Sequence, residues 1–184
     1  MPDDSSPVIT PDYREMQARL HAENPNYGMA SVGFAPLVQT VIEHFGVKEV
    51  LDYGAGKGRL AQTLAATCQS QATVIPYDPA IPAWSATPQP AEMVASIDVL
   101  EHIEPECLDA VLDDLKRVTG RLGFFTVHTG AAIKILSDGR NAHLIQEPPS
   151  WWLPKIIARF ELLKFLRSKD GFWVLVEPLR TARR

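Results

Sequence analysis

The sequence predicts a layered α/β fold with a mostly parallel sheet. Short apolar segments of strand length alternate with longer segments whose apolar residues recur at helical spacing. This alternation is typical of α/β proteins, because parallel strands need a long crossover connection that usually holds a helix. A chain of 184 residues can form one domain that buries roughly 70% of its unfolded surface. With 46% hydrophobic and 22% charged residues, the composition excludes a disordered chain, a collagen-like fibre and a coiled coil.

Two helices are predicted before the sheet begins. Thr10 can cap a first helix with a proline at its first position, and residues 24–28 predict a turn after it. A second helix is predicted over residues 36–45, because a glycine follows as a stop signal. We expect a single domain in which residues 1–46 form a helical cap and residues 47–184 form the α/β core.

The sheet and its helices are predicted from residue 49 onward. The predicted strands are 49–53, 73–78, 93–99, 124–127, 162–167 and 172–176. The predicted helices are 59–68, 105–118 and 151–160, the last one capped by Ser150. A hairpin joins the last two strands, so only the last strand is expected to run antiparallel. The proline-rich segment 76–90 predicts a loop over one edge of the sheet, because proline disrupts helices.

A glycine-rich turn, GAGKG at positions 54–58, follows the first strand and precedes a helix. Ligands of open α/β sheets bind beyond the carboxyl ends of the strands, and a helix N-terminus favours a carboxylate or phosphate. Asp78 ends the next strand, where its carboxylate can accept hydrogen bonds from two ribose hydroxyls. A tight turn without a ligand is one alternative. A nicotinamide cofactor is another, although Arg59 stands where the G-x-G-x-x-G fingerprint has its last glycine.

These segments resemble the motifs of class I S-adenosylmethionine (SAM)-dependent methyltransferases. VLDYGAGKG at positions 50–58 resembles the first motif of the family, YD at 77–78 its ribose-binding acid, and SIDVLEHI at 96–103 its fourth motif. Order and spacing are similar from about residue 38 to residue 176. The resemblance implies a three-layer, doubly wound, Rossmann-like sheet of about six strands. It also implies SAM as the cofactor.

The resemblance further implies which residues hold the cofactor. Asp52 and the glycine backbone would hold the methionine end, Asp78 the ribose, and residues 98–100 would line the methyl-transfer site. The full set of candidates is Asp52, Tyr53, Gly54, Ala55, Gly56, Tyr77, Asp78, Asp98, Val99 and Leu100. The family usually places a helix and a strand between the ribose acid and the fourth motif. Only residues 79–91 are available here, so we expect that strand to be missing and the adenine contacts to differ.

A cluster of acidic and imidazole groups is the candidate catalytic centre. Asp98, Glu101, His102 and the later His143 resemble the set through which some methyltransferases bind Mg²⁺, with Asp98 in place of a glutamate. The small-RNA 2′-O-methyltransferases and the ubiquinone-pathway O-methyltransferases are examples. Mg²⁺ or another divalent ion would lower the pKa of an acceptor hydroxyl.

Three alternatives to a metal remain for this cluster. His143 or His102 can act as a general base beside Glu101, and His128 is a third candidate for that role. The D-V-L-E-H-I sequence also occurs in methyltransferases that use no metal, where Glu101 and His102 have a structural role or line the pocket.

Other segments are expected to surround the acceptor. Residues 129–149 lack clear periodicity, and a segment of that length is usually functional or disordered. Trp151 and Trp152 either wall the pocket or pack in the core. Tyr13 and Tyr27 of the N-terminal segment either cover the cofactor or belong to a plain helical cap.

The function indicated is a SAM-dependent methyltransferase that acts on an oxygen, or a nitrogen, of a small polar acceptor. The alternatives are a non-catalytic regulatory protein that binds SAM or a nucleotide, and a methyltransferase of RNA ends or nucleotides. The formal net charge of −4 argues against binding of long nucleic acid. We expect a cytoplasmic protein without a membrane partner. The sequence has no apolar run of membrane-spanning length and no secretory signal at its acidic start, and its two cysteines, Cys68 and Cys107, suit reduced thiols.

Overall fold

Six strands form one sheet in the computed structural model, which describes residues 7–24, 28–67 and 71–179. The strands are β1 (Glu49–Tyr53), β2 (Thr73–Tyr77), β3 (Ala91–Ile97), β4 (Thr119–His128), β5 (Phe160–Arg167) and β6 (Gly171–Pro178). Their order across the sheet is β2-β1-β3-β4-β6-β5. Strands β1 to β4 are mutually parallel, whereas β6 runs antiparallel to both β4 and β5. The predicted α/β sheet with an antiparallel last strand is therefore confirmed.

The helices pack on both faces of this sheet. They are α1 (Pro11–Glu23), α2 (Ala30–Phe45), α3 (Arg59–Thr67), α4 (Leu108–Val118) and α5 (Pro149–Ile157). Helices α2 and α3 share one buried cluster with the sheet, and α4 and α5 share the other. The described residues include no helix with the length and apolar character needed to cross a bilayer.

Neighbouring residues of each central strand point to opposite faces of the sheet and therefore pack in different buried clusters. In β1, Val50 packs towards α2 and α3 while Leu51 packs towards α4. In β4, Phe124 and Phe125 divide in the same way, and both are wholly buried. Because successive side chains of a strand alternate between faces, a continuous apolar run identifies a strand that is covered on both sides. The carboxyl ends of these strands carry the site.

The described residues between β2 and β3 contain no further strand, as expected for the connection between Asp78 and the fourth motif. Only a short 3-10 turn, Pro82–Trp84, interrupts that connection. As a result β2 lies at the edge of the sheet. The predicted loop over residues 76–90 was wrong at its first two residues, since Pro76 and Tyr77 belong to β2. An edge strand tolerates a proline because one of its sides has no partner strand.

Several predicted boundaries were wrong. Helix α2 begins at Ala30, and Pro36 lies inside it, because Phe34 and Ala35 also pack against the sheet. Ser150 does not cap α5, which starts at a proline and has no side-chain cap. Strand β3 spans Ala91–Ile97 and β4 begins at Thr119, whereas helix α4 follows a 3-10 turn, Pro105–Cys107. The predicted end of α3 at Cys68, and residues 25–27 of the predicted turn, including Tyr27, lie outside the described residues.

Candidate active site

A cavity of 390 Å³ opens beyond the carboxyl ends of β1, β2 and β3. Its volume falls within the range of small-molecule sites. One end is formed by the glycine turn at 54–56 with Asp52 and Asp78, and the other by Asp98 and the three imidazoles of His102, His128 and His143. Helix α1 and the segment 131–134 supply further walls. The described structure thus joins most of the predicted cofactor residues to the predicted catalytic histidines in one space.

The glycine turn is held close to Asp78. The backbone N–H of Gly56 donates to Oδ2 of Asp78 at 2.9 Å, and the N–H of Ala80 donates to Oδ1 at 2.9 Å. Gly54 and Gly56 have φ values of 84° and 52°, a backbone region that favours glycine. A Cβ on Gly54 would lie 2.5 Å from the Val99 side chain. Each oxygen of Asp78 keeps a second lone pair, so the carboxylate can still accept from a ligand.

Asp52 is a buried acid at the end of β1, with only 3% of its surface exposed. Its Oδ2 has no hydrogen-bond partner among the described residues. Burial, and to a smaller extent the charge of Asp78, raise the pKa of Asp52 to about 7. Ionised carboxylates that lie buried and unpaired are costly, so this group fits a ligand that brings a positive charge.

Two candidate cofactor residues do not reach the cavity. Leu100 is wholly buried in the core with α4. Tyr77 packs against Tyr53, with 4.9 Å between their ring centroids, and lies in the same core. Tyr53 does line the cavity, but its hydroxyl donates to Asp114 Oδ2 at 2.9 Å. These side chains support the turn from below because the pleat of each strand directs alternate residues into the core.

His102 and His143 face each other, with 4.7 Å between their ring centroids. Nδ1 of His102 lies 2.7 Å from the carbonyl oxygen of Ala142, and Nδ1 of His143 lies 2.6 Å from that of Gly130. A carbonyl only accepts, so each Nδ1 carries a proton and donates it. Burial lowers the pKa of His102 to about 4 and also lowers the pKa of His143. Both rings are therefore neutral near pH 7, with the lone pair on Nε2.

Glu101 lies beneath these rings and is wholly buried. Its Oε1 accepts a hydrogen bond from the backbone N–H of His128 at 2.9 Å, and its Oε2 has no partner among the described residues. Burial, with a further contribution from the Asp98 charge, raises the pKa of Glu101 well above its usual value. Polar atoms of Glu101, His102 and His143 all lie within 4.8 Å of one another, which brings three of the four predicted metal ligands together.

Asp98 stays outside that group of three. Its carboxylate accepts a hydrogen bond from the Thr126 hydroxyl, and its own N–H donates to the same Thr126 oxygen at 2.8 Å. Asp98 has a φ of 50°, a strained value for a residue with a side chain. Asp98 lines the cavity and so belongs to the site, but the group of three ligand atoms within 4.8 Å does not include it, so its share in a metal with Glu101 stays a prediction.

The sequence analysis named Tyr13 but missed the other two residues of a stripe on helix α1. Tyr13, Gln17 and His21 recur every four residues and all line the cavity. The Tyr13 hydroxyl donates to the His102 carbonyl at 2.7 Å, and Gln17 Nε2 donates to the Tyr13 hydroxyl at 2.6 Å. A Cβ on Gly56 would lie 2.8 Å from the His21 ring. The signal was the polar spacing of four, which places these residues on one helix face.

The segment 129–149 has no helix before α5 begins at Pro149, and it has one isolated bridge, between Ile135 and Asn141. Its residues Leu136 and Ala142 share a small buried cluster with Tyr13 of α1, so α1 and the segment form a continuous wall. Of the two alternatives for the tryptophans, packing in the core is the one that the structure shows. Trp152 is wholly buried in the main core, and Trp151 packs against that core with Lys155 over its ring.

Comparison with known proteins identifies the fold. No protein-family profile and no curated protein sequence matches the chain. Among solved structures, the chain is similar to the 1,6-didemethyltoxoflavin-N1-methyltransferase of Burkholderia thailandensis, which was crystallised with 1,6-didemethyltoxoflavin and S-adenosylhomocysteine. The TM-score is 0.65 and the identity 15%, over 95% of this chain and 93% of that protein.

Two further structures give the same result. A SAM-dependent methyltransferase from Aquifex aeolicus matches with a TM-score of 0.58 and 14% identity, over 88% of this chain and 98% of that one. A mitomycin 7-O-methyltransferase matches with a TM-score of 0.62 and 13% identity, over 89% of this chain but 60% of the longer protein. The chain therefore has the fold of SAM-dependent methyltransferases, as the sequence resemblance predicted.

Proposed function

We propose that this chain is a SAM-dependent methyltransferase that transfers a methyl group to an oxygen or nitrogen atom of a small molecule. One observation carries the proposal: a single cavity connects Asp52, Asp78 and the glycine turn to the imidazole of His143. Two reactants can meet there in a fixed geometry. In-line methyl transfer depends largely on such positioning. The similar folds of an N1-methyltransferase and a 7-O-methyltransferase support the reaction class.

The residues at the glycine end fit SAM. The orphaned Asp52 carboxylate would hold the positively charged amino group of the methionine end. Asp78 would accept from the ribose hydroxyls through the lone pairs that its two backbone hydrogen bonds leave. When bound, SAM supplies the activated methyl group. An apolar side chain for the adenine is available in Ile97, which lines the cavity, whereas Met93 is wholly buried in the core and Trp84 packs near Gly58.

His143 is the residue we propose as general base. Its ring lines the cavity, its Nδ1–H is engaged by the Gly130 carbonyl, and its lowered pKa keeps it unprotonated near pH 7. Nε2 is therefore the atom that would accept the proton of the acceptor group as the methyl group arrives. His102 and Glu101 would hold this ring from below, and His128 would flank it at 4.7 Å.

A divalent ion is a second candidate for the same cluster. Metal-binding histidines usually donate their other ring N–H to a carbonyl or carboxylate, and both His102 and His143 do so. The orphaned Oε2 of Glu101 would complete a set of two imidazoles and one carboxylate. Such a set is compatible with Mg²⁺, Mn²⁺ or Fe²⁺. The ion would lower the pKa of an acceptor hydroxyl.

Calorimetric titration of the purified protein tests the proposal and its alternatives. We expect binding of SAM and S-adenosylhomocysteine and none of NAD⁺. Transfer of a labelled methyl group from SAM to a panel of catechols, amines and short RNA ends then separates an enzyme from a non-catalytic binder. Absence of SAM binding would overturn the proposal, and labelling of the RNA ends alone would replace the small-molecule acceptor by RNA.

A further inference from the structure

The opening of the cavity carries apolar side chains from two separate parts of the chain. Met29, just before α2, is 45% exposed, and Ile133, in the segment 129–149, is 101% exposed. Ala131 is exposed as well. All three residues also line the cavity, so they lie where it meets the solvent. We call Met29, Ala131 and Ile133 the apolar rim.

The wall between the rim and the histidines is apolar too. Ile9, Ile103 and Ala132 line this part of the cavity. The titratable groups there, His102, His128, His143 and Asp98, lie together at its base. A ligand that fills the acceptor end would therefore meet polar groups at its inner tip and hydrocarbon along its sides.

The opening combines one cation with apolar side chains. Lys134 lines the cavity next to Ile133, and its ammonium donates to the side-chain oxygen of Asn24. The rim residues Met29, Ala131 and Ile133 present apolar side chains beside it. Burying such surface against a ligand is favourable because apolar area leaves water.

The volume of the cavity sets a limit on the acceptor. At 390 Å³, it lies near the lower end of the range for a site that holds a single small molecule, about 300–1,000 Å³. A cofactor at the glycine end would take up much of that space. The remaining space can enclose only a very small acceptor. Any larger acceptor that reaches the histidines must extend over the apolar rim.

From these observations we propose that the acceptor is an amphipathic small molecule. Its hydroxylated ring enters the cavity with the reacting hydroxyl directed at the His143 imidazole, while an apolar extension lies across Met29 and Ile133. This inference rests on the proposed methyltransferase function and deepens it by naming the substrate class. An amphipathic acceptor would explain why apolar side chains are exposed at the opening of the proposed active site.

Binding of a homologous series tests this inference. The probes are 4-alkylcatechols from methyl to hexyl, titrated by calorimetry into protein saturated with S-adenosylhomocysteine. We expect the affinity of the unaltered protein to rise by roughly two- to fourfold for each added methylene that the rim covers. Ile133→Ser and Met29→Ser should flatten this dependence and leave the affinity of the methyl member within twofold. The matched control is Ile157→Ser, because Ile157 is 48% exposed but lies on α5, outside the cavity.

The outcomes separate this inference from the proposed function. If S-adenosylhomocysteine does not bind, the methyltransferase proposal itself fails. If it binds but no catechol does, or if affinity is independent of chain length, the amphipathic acceptor is wrong and the enzyme class stands. An equal effect of Ile157→Ser would assign the chain-length dependence to general hydrophobicity and overturn the role of the rim. A concentration-dependent dimer in sedimentation that Ile133→Ser abolishes would give the rim to a second copy of the chain instead.

Discussion

The backbone N–H of Gly56 donates a hydrogen bond to Oδ2 of Asp78 at 2.9 Å, so the acid after β2 holds the glycine turn after β1. Asp78 consequently has two tasks in the proposed site: it fixes the turn and it faces the ribose. Asp78→Ala removes both, and we expect binding of S-adenosylhomocysteine to weaken by about 1.5–3 kcal/mol, the range for hydrogen bonds to a charged group. Calorimetry gives the affinity.

Asp78→Asn separates the two tasks, since its amide oxygen can still accept one backbone N–H while the charge is lost. It should weaken binding less than Asp78→Ala does. Glu161→Ala, on the exposed edge strand β5, is the control and should change nothing. Unaltered affinity in both Asp78 variants would contradict the assignment of this acid to the cofactor.

The raised pKa of Asp52, about 7, predicts a pH-dependent affinity. The ionised form is the one that would hold a cationic amino group. Below pH 7 the carboxyl is protonated, so affinity for S-adenosylhomocysteine should fall by up to about tenfold per pH unit. Asp52→Asn should bind more weakly at pH 8 and lose this dependence. Titrations between pH 5.5 and 8.5 measure it, and a wild-type profile identical to that of Asp52→Asn would refute the role.

The same pKa also predicts a stability difference with a definite sign. The folded state keeps the Asp52 proton up to about pH 7, whereas the unfolded chain releases it near pH 4. The folded state binds more protons in between, so this group makes stability fall as pH rises from about 4 to 7. Asp52→Asn removes that loss. We expect a higher Tm than the wild type at pH 8 and an equal Tm at pH 4, with exposed Asp12→Asn as the control.

The sheet was predictable from the sequence because its signals are local. Val50 and Leu51 belong to a short apolar run that ends at a glycine-rich turn, and that combination indicates a strand. Asp78 was found because it ends a predicted strand, and the ends of parallel strands share one edge. Asp52 came from the resemblance of its segment to the first motif of the methyltransferases.

The walls of the site were less predictable because they depend on contacts distant in sequence. The hydrogen bond from Tyr13 to the His102 carbonyl spans 89 residues, and that from His102 to Ala142 spans 40. No periodicity encodes such pairs. Ser150 was misassigned for a local reason, because its residue type suggested a cap while the two prolines directly before it, Pro148 and Pro149, determined the start of α5. Asp98 was expected at a metal because Glu101 and His102 follow it closely in sequence, whereas the structure shows its carboxylate accepting from the distant Thr126 hydroxyl.

Glu101→Gln distinguishes a base from a metal at the histidine cluster. Burial raises the pKa of Glu101 well above its usual value, so without an ion this side chain is a neutral acid that glutamine can replace. The hydrogen bond from the His128 N–H would be retained. If His143 is the base, we expect Glu101→Gln to keep activity within about tenfold, and His143→Ala to lose roughly 10²–10⁴-fold.

Mn²⁺ binding, followed by electron paramagnetic resonance, is the readout that does not depend on activity. A base predicts no stoichiometric binding and no effect of a chelator. A metal predicts one bound Mn²⁺ that both Glu101→Gln and His143→Ala abolish, with activity lost to the chelator and restored by Mg²⁺ or Mn²⁺. Full activity in His143→Ala would exclude both roles and return the cluster to a structural one.

The final prediction concerns the attachment of α1, which forms one wall of the cavity. Thr10 caps this helix by accepting from the Tyr13 N–H, and its N–H and hydroxyl both donate to Glu104 at 2.9 and 2.7 Å. Thr10→Ala should therefore destabilise the docked helix by about 1 kcal/mol, the usual cost of losing such a cap. We expect faster amide hydrogen exchange in α1 and faster release of S-adenosylhomocysteine.

Hydrogen exchange with and without ligand completes that test. Because α1 and the segment 129–149 share a buried cluster through Tyr13, Leu136 and Ala142, bound cofactor and acceptor should slow exchange in both together. Thr40→Ala is the matched control, since the Thr40 hydroxyl bonds only within α2, to the carbonyl of Pro36. A ligand that protects neither α1 nor the segment would mean that these walls take no part in closing the site. Protection of one without the other would mean that the cluster does not couple them.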